Sequence, residues 1–475
     1  MPGTETTGTP AAPGPSDGGA PPVVLEALGH NGPYRARNRL AVTDVRGAPA
    51  AELSLVPSLF VNRTLAALRT ATPLPPDERA AALRRAAHLF AHETVAGRTV
   101  EEYEHDVSRV GGIPVHVVRI ATRSIATRLA AAWESARAAA PQGAADDWRD
   151  PRTRAGRGVW TRRGGVFAVN AAGNHPGTHS LWPEALALGY RVAVRPSRRE
   201  PFTPHRLITA LRAAGFDDDH VALLPTDHER ADDLLRGADL GMVYGGEDVV
   251  RRYAADRTVL TQGPGRSKIL LTGDTDWRDH LDTIVDSVAH HGGTGCVNTT
   301  AVYVEGDPEP LCEALAERLG ALPAVPPDDD KAVLPVQPVA TARAIAAHLA
   351  RRAEGTRAWL GADAVVAELG DGSAALRPAV HQVGRPDAPQ TGVELPFPCV
   401  WVAPWTPEAG TAVLRDSLVL TVLTRQEELI DRLLDEPTIS NVYVGDVPTY
   451  RIAPGLPHDG FLGEFLMRSK AVIRR

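Results

Sequence analysis

From Gly165 to Val444 the sequence repeats one pattern: a short apolar run, a helix-length stretch, then another apolar run. This alternation constrains the fold more than any other feature. Strands joined by helices run parallel, and a parallel sheet must be covered on both faces. Val166-Phe167-Ala168-Val169, Val192-Ala193-Val194, Val221 to Leu224, Leu240 to Tyr244 and Thr258 to Thr261 read as strands. The segment from Pro176 through Ala187, His205 to Ala214, Asp227 to Leu235, and a stretch opened by Gly245-Gly246 and ending at Tyr253 read as helices. Gly215 stands where a helix C-cap needs it. After Gln262 the pattern restarts, with strands at Lys268 to Thr272, Ala301 to Glu305, Val365 to Glu368, Val400 to Ala403, Val419 to Thr424 and Asn441 to Val444. Helices at Asp279 to His291, Leu311 to Leu319 and Thr341 to Arg352 separate some of them. Two α/β units with a seam near Gln262 imply a cleft between them.

The remaining chain is read by composition and spacing. Residues 1–22 are mostly Gly, Pro, Thr, Ser and Ala and read as a disordered tail. Residues 78–95 and 113–140 carry helical apolar spacing. The stretch from Pro141 to Gly158 reads as a connector, either an exposed loop or an arm reaching a neighbouring subunit. A length of 475 residues with 43% hydrophobic and 23% charged residues is an ordinary globular balance for two to four domains. A formal charge of −7 offers no positive excess to neutralise phosphates, which argues against nucleic-acid binding. Three cysteines exclude a disulfide scaffold and fit a reducing compartment. Neither a transmembrane run nor a secretory signal is evident, so a soluble cytoplasmic protein is expected.

Several short motifs could carry chemistry. His290-His291-Gly292-Gly293-Thr294-Gly295-Cys296 places a thiol in a Gly-rich loop between a helix and a strand. Such a thiol is a candidate nucleophile, or else a small buried residue at a tight turn. Cys312 and Cys399 read as core residues. Tyr244-Gly245-Gly246-Glu247-Asp248 reads as strand, turn and helix start, where free N–H groups could meet a phosphate, although two acidic residues follow. Arg195-Pro196-Ser197-Arg198-Arg199 ends a strand at the sheet edge where nucleotides lie, or forms a solvated basic loop. His175 and His179 have metal-like spacing but no third ligand, and no metal site is expected.

Taken together, these pieces resemble the aldehyde dehydrogenase superfamily over roughly residues 30–475. The segment from Phe167-Ala168-Val169-Asn170 through Asn174-His175-Pro176 looks like the family's strand-to-helix segment bearing the catalytic Asn. Arg195-Pro196-Ser197 looks like its Lys-Pro-Ser cofactor motif, and Tyr244-Gly245-Gly246 like its Thr-Gly-Ser turn. Gln262-Gly263-Pro264-Gly265-Arg266-Ser267 looks like Glu-Leu-Gly-Gly-Lys-Ser. Cys296 follows Gln262 by 34 residues, the family's own interval from general base to nucleophile. Glu394-Leu395-Pro396-Phe397 looks like the Glu-x-Phe motif with one extra residue. Asn441-Val442 and Pro457-His458-Asp459-Gly460 look like degenerate forms of the C-terminal signature.

The resemblance implies a cofactor-binding α/β domain (23–140 and 166–261), a catalytic α/β domain (262–440), and an oligomerisation arm with C-terminal return (141–165 and 441–475). It also implies a homodimer or homotetramer, with Val472 and Ile473 adding a strand to a neighbour. Gln262 departs from the family's Glu, and a neutral amide cannot take a proton from water. Acylating members lack that Glu because a thiol accepts the acyl group. The motifs at 173–177 and 244–248 look most like the fatty-acyl reductases of bacterial bioluminescence. The implied activity is therefore reversible reduction of an acyl thioester, on CoA or an acyl carrier protein, to an aldehyde. Cys296 would be the nucleophile, and Asn174 the oxyanion donor, with Asn170 as fallback. Gln262 would stand in the base position. Arg195, Ser197, Arg198, Gly245, Gly246, Glu394 and Phe397 would bind the cofactor. Arg198 stands where NAD-preferring members often place Glu, so NADP(H) is favoured and NAD(H) possible. Two alternatives remain: a non-acylating dehydrogenase that forms an acid with His290 or His291 as base, and a non-catalytic scaffold. The acyl group itself is not legible.

Overall fold

The computed structural model describes residues 22–474; residues 1–21 of the expected tail lie outside them. The first of two seven-stranded sheets runs, from edge to edge, Val259–Gln262, Leu240–Tyr244, Val166–Asn170, Arg191–Arg195, Val221–Leu223, Ala27–Gly29, Gly32–Tyr34. Its first five strands are parallel. The last two form an antiparallel hairpin contributed by the N-terminal region. Val166–Asn170 and Arg191–Arg195 are buried at every position, as strands covered on both faces must be.

The second sheet runs Arg357–Leu360, Ala379–Gln382, Cys399–Trp405, Thr299–Glu305, Ser267–Leu271, Ser417–Leu423, Ile439–Val444. All its pairings are parallel except that of the edge strand Arg357–Leu360. Ile439–Val444 is the other edge, so the boundary expected at residue 440 cuts through a strand. That strand, expected over Asn441 to Val444, has one buried position in six.

The helices Pro76–His92, Val100–Gly111 and Val115–Ala130 pack on the first sheet, where Phe90, Tyr103 and Ile125 share one core with Phe167, Val192 and Leu207. The helix expected over 113–140 breaks at Ala131, whose φ of −92° and ψ of 4° interrupt it before Ala132–Arg137. The helix expected from Pro176 to Ala187 is likewise divided into a 3₁₀ turn, Pro176–Ser180, and a short helix, Pro183–Ala187. Pro183 lacks the N–H that continuity requires. The strand Arg157–Arg162 pairs antiparallel with Met467–Val472. Val472 thus partners Arg157 of its own chain. Among the described residues no helix is long and apolar enough to cross a membrane.

This arrangement sets the carboxyl ends of four strands of the first sheet, at Asn170, Arg195, Tyr244 and Gln262, toward the amino ends of Ser267–Leu271 and Thr299–Glu305. The seam between the sheets runs there, and Cys296 lies on it.

Candidate active site

The helix Leu281–Ala289 stops at His290, and the chain then passes through three left-handed residues, His291 (φ 51°), Gly292 (φ 74°) and Gly293 (φ 66°). This turn delivers Cys296 just before the strand Thr299–Glu305. A Cβ at Gly293 would collide with the backbone of Phe397 and Pro398, and one at Gly265 would overlap the Cys296 carbonyl oxygen. Both glycines are there because backbone meets backbone. The Cys296 carbonyl accepts a hydrogen bond from Ser267 Oγ at 3.1 Å. Asn298 then clamps the loop from inside. Its Oδ1 accepts from Gly295 N at 2.8 Å, and its Nδ2 donates to His290 O at 2.9 Å and Ser287 O at 3.2 Å.

Cys296 is half-buried, whereas Cys312 and Cys399 are buried. Burial pushes the Cys312 thiol up to about 12 and the Cys399 thiol further still. Cys296 is therefore the cysteine placed to react. Its Sγ lies 3.8 Å from His458 Nε2, and His458 Nδ1 donates to Asp459 Oδ1 at 3.1 Å. Burial opposes charge on this ring, but the Asp459 carboxylate and the Cys296 sulfur outweigh it and hold His458 up at about 10. Asn441 fixes the His458 backbone, with Nδ2 donating to His458 O at 2.6 Å and Leu418 O at 2.9 Å.

Asn174 Nδ2 donates to Thr294 O at 2.9 Å, which places this amide on the Cys296 loop. Asn170 instead sits in the sheet, with Nδ2 donating to Ala231 O at 3.3 Å. Gln262 ends its strand 5% exposed, and its carbonyl accepts from Gly245 N at 3.1 Å. The two histidines weighed as bases are stacked elsewhere. His290 lies flat on Tyr450 at 3.6 Å, His291 stacks on His290 at 3.7 Å, and His175 stacks on His291 at 4.9 Å. Burial first, then neighbouring histidines, holds His175 and His290 down to about 3 and His291 to about 4. These rings stay neutral near pH 7, and none contacts the Cys296 sulfur by hydrogen bond. His179 Nδ1 accepts from Trp182 Nε1 at 3.1 Å.

The residues expected to hold a cofactor fall into three groups. Arg195 is buried, with Nε donating to Thr226 Oγ1 at 2.9 Å and Nη2 to Thr226 O at 3.2 Å. Arg198 pairs with Asp227 at 3.5 Å, and its Nε is buried without a partner. Ser197 Oγ accepts from Arg199 N at 3.2 Å. Gly246 caps the helix Glu247–Tyr253 and faces open space, whereas a Cβ at Gly245 would strike Val249. Glu394 Oε2 accepts from Gly265 N at 2.8 Å and Arg266 N at 3.0 Å, and neither bond uses Oε1. Phe397 is 1% exposed and belongs to the core of the second sheet. Arg266 crosses the seam to an ion pair with Glu247. An unpartnered guanidinium nitrogen, an open glycine cap and a carboxylate suited to hydroxyls fit a nicotinamide dinucleotide.

Residues 50–463 match the model of the aldehyde dehydrogenase family. The chain belongs to this family. Solved structures of family members share the fold. Aldehyde dehydrogenase 21 of Physcomitrella patens, in complex with succinate, superposes with a TM-score of 0.80 at 15% identity, over 96% of this chain and 99% of that one. An NAD-dependent aldehyde dehydrogenase of Sinorhizobium meliloti gives 0.81 at 18% identity over 95% and 94%. Among curated relatives, the 2-hydroxymuconic semialdehyde dehydrogenase of Pseudomonas putida is 28% identical over 171 residues, 33% of this chain and 34% of that protein. Aspartate-semialdehyde dehydrogenase 1 of Pseudomonas canavaninivorans is 25% identical over 146 residues, 30% of each. The chain thus spans about a third of the length of the curated relatives it matches.

Three features of the site escaped the sequence reading: the pairing of His458 with Cys296, the support from Asp459, and the Asn298 clamp. The adjacent His-Asp pair after Pro457 was the available signal for the first two. Asn298, two residues past Cys296 and just before a strand, was the signal for the third.

Proposed function

We propose that this family member oxidises an aldehyde through a covalent acyl intermediate on Cys296, with a nicotinamide dinucleotide as the hydride acceptor. The observation that carries this reading is the half-buried Cys296 thiol held on the seam by a loop that Asn174, Ser267 and Asn298 all brace. Cys296 attacks the carbonyl carbon. The second N–H of the Asn174 amide, with the Cys296 backbone N–H, receives the developing oxyanion. Arg195, Arg198, Gly246 and Glu394 hold the nucleotide, and when bound its nicotinamide accepts or returns a hydride. Aldehyde with NAD⁺ or NADP⁺ should yield reduced nicotinamide at 340 nm without added CoA. If reduced nicotinamide forms with none of a panel of aldehydes, the reading fails.

Gln262 favours a second reading, the one reached first from sequence. An amide in the base position suits transfer of the acyl group to CoA or a carrier-protein thiol, run in either direction. Oxidation that requires CoA, or consumption of NADPH by an acyl thioester, would select it. The semialdehyde dehydrogenases among the relatives weigh toward the first.

The cofactor preference has its own test. Arg198 would pair with a 2′-phosphate, but Asp227 already occupies it at 3.5 Å and must be displaced. Arg198→Glu is expected to raise the KM for NADP⁺ about 10-fold or more while changing that for NAD⁺ about twofold, since only the phosphate meets the new charge. Equal effects on both cofactors would show that Arg198 does not read the 2′ position.

A further inference from the structure

We propose that His458, oriented by Asp459, is the acid–base partner of Cys296 and does for water what Gln262 cannot. The inference rests on the functional reading above and settles which acceptor the acyl group meets. Its basis is geometric. The two ring nitrogens of His458 face different groups: Nδ1 meets Asp459 Oδ1 at 3.1 Å, and Nε2 meets Cys296 Sγ at 3.8 Å. Nδ1 donates to the carboxylate, so Nε2 is the nitrogen left to exchange a proton with the sulfur. Asn441 pins the residue's backbone, and the His458 side chain is 20% exposed, which leaves room for water beside it. Nucleophile, base and orienting carboxylate thus stand in the order that activates a thiol. Tyr244 is the other titratable group close by. Burial, then the Asp459 and Cys296 charges, push its phenol up against a smaller opposing effect of Arg128, so it stays neutral.

The protons can be followed. The Cys296 S–H proton passes to His458 Nε2, and the thiolate forms an S–C bond to the aldehyde carbon while the carbonyl π pair moves to oxygen. The oxyanion reforms its double bond as hydride leaves to oxidised nicotinamide, and a thioester remains on Cys296. With the thiolate charge gone, the imidazolium releases its proton to solvent. The neutral ring then takes a proton from water as the hydroxyl oxygen attacks the thioester carbon. The C–S bond breaks, the thiolate returns beside the imidazolium, and the acid ionises. The sum is aldehyde, water and oxidised nicotinamide going to carboxylate, reduced nicotinamide and two protons. The same ring thereby serves both half-reactions.

The test begins without cofactor or substrate. The full-length protein, its His458→Asn and His458→Gln variants and Asp459→Asn are alkylated with iodoacetamide between pH 5 and 9. Modification is mapped to Cys296, with buried Cys312 and Cys399 as internal references. The wild-type rate should remain high at the acid end, whereas both His458 variants should lose about 10-fold or more at pH 6 and gain a steeper pH dependence. Asp459→Asn should fall between them. Superimposable pH–rate curves for wild type and a folded His458 variant would overturn the proposal. The second arm uses an aldehyde that the wild type turns over. His458→Asn should release at most one reduced nicotinamide per site, then turn over about 10²- to 10⁴-fold more slowly, with kcat falling more than KM. A wild-type steady state in that variant would also overturn it. If the wild type oxidises no aldehyde yet the alkylation curves separate, the Cys296–His458 pair stands and the functional reading falls. Folding of each variant is checked by its thermal transition, and one folded His458 variant suffices.

Discussion

Cys296→Ala is expected to lower aldehyde oxidation by a factor on the order of 10⁴ or more, because it removes the atom that carries the acyl group. No other thiol can take over. Cys312 is buried in the helix Glu309–Gly320 and Cys399 opens a buried strand, and burial holds both thiols in their neutral form. Cys296→Ser should recover little, since the Ser hydroxyl ionises far less readily than a thiol beside the same ring. Nucleotide affinity should stay within about twofold of wild type by calorimetry, because Arg195, Arg198 and Glu394 are untouched. The same variant discriminates against the scaffold alternative: a binding protein would show no nicotinamide-dependent turnover to lose. Retention of more than a tenth of wild-type rate would remove Cys296 from the chemistry and the covalent intermediate with it.

The parts of this molecule legible in sequence are those where local chemistry decides. A strand buried on both faces must be apolar throughout, so Val166–Asn170 and Leu240–Tyr244 stand out. A turn through three left-handed residues needs glycine, so the loop before Cys296 announces itself, even though His291 supplies one of the three positions. The edges were harder. Asn441 to Val444 was readable within the edge strand Ile439–Val444, but the hairpin Ala27–Gly29 with Gly32–Tyr34 is three residues a side, too short for a periodic signal. The helix Val100–Gly111 was readable and missed. Thr99 and Glu102 form a capping box, with Thr99 Oγ1 accepting from Glu102 N at 3.1 Å and Glu102 Oε2 from Thr99 N at 2.8 Å.

The site divides the same way. Cys296 could be found from its loop because the reason for its exposure is local. His458 meets it across 162 residues of chain, from an irregular segment with no period to read. Nothing in the His-Asp dipeptide says which sulfur it faces; only the packing of the Ile439–Val444 edge, through Asn441, does. The histidine stack errs in the opposite direction. His290 and His291 adjoin Cys296 in sequence, which made them attractive bases. The left-handed His291 turns both rings away onto Tyr450 and His175. Proximity in sequence was a poor guide once the backbone reversed.

Asn298→Ala is expected to damage both stability and rate, and the two losses have one cause. The side chain is 8% exposed and spends both ends of its amide on the loop. Truncation leaves the part-buried Gly295 N–H and His290 carbonyl without their protein partner. Each orphaned group costs about 1–3 kcal/mol, so about 2–6 kcal/mol of stability should be lost at most, read as a lower midpoint in urea. Glycines at 292, 293 and 295 give the freed loop many alternatives to its native path, so Cys296 no longer holds its distance to His458. A misplacement of about 1 Å is enough for about a 10²-fold loss in kcat. Asn298→Asp separates the clamp's two ends. It keeps an acceptor for Gly295 N but has no donor for the carbonyls, and it buries a charge. It should therefore be no more stable than Ala while recovering part of the rate, if the Gly295 bond is what positions the sulfur. A variant that unfolds earlier yet turns over normally would mean that Ser267 and the close contact at Gly265 hold Cys296 in place on their own.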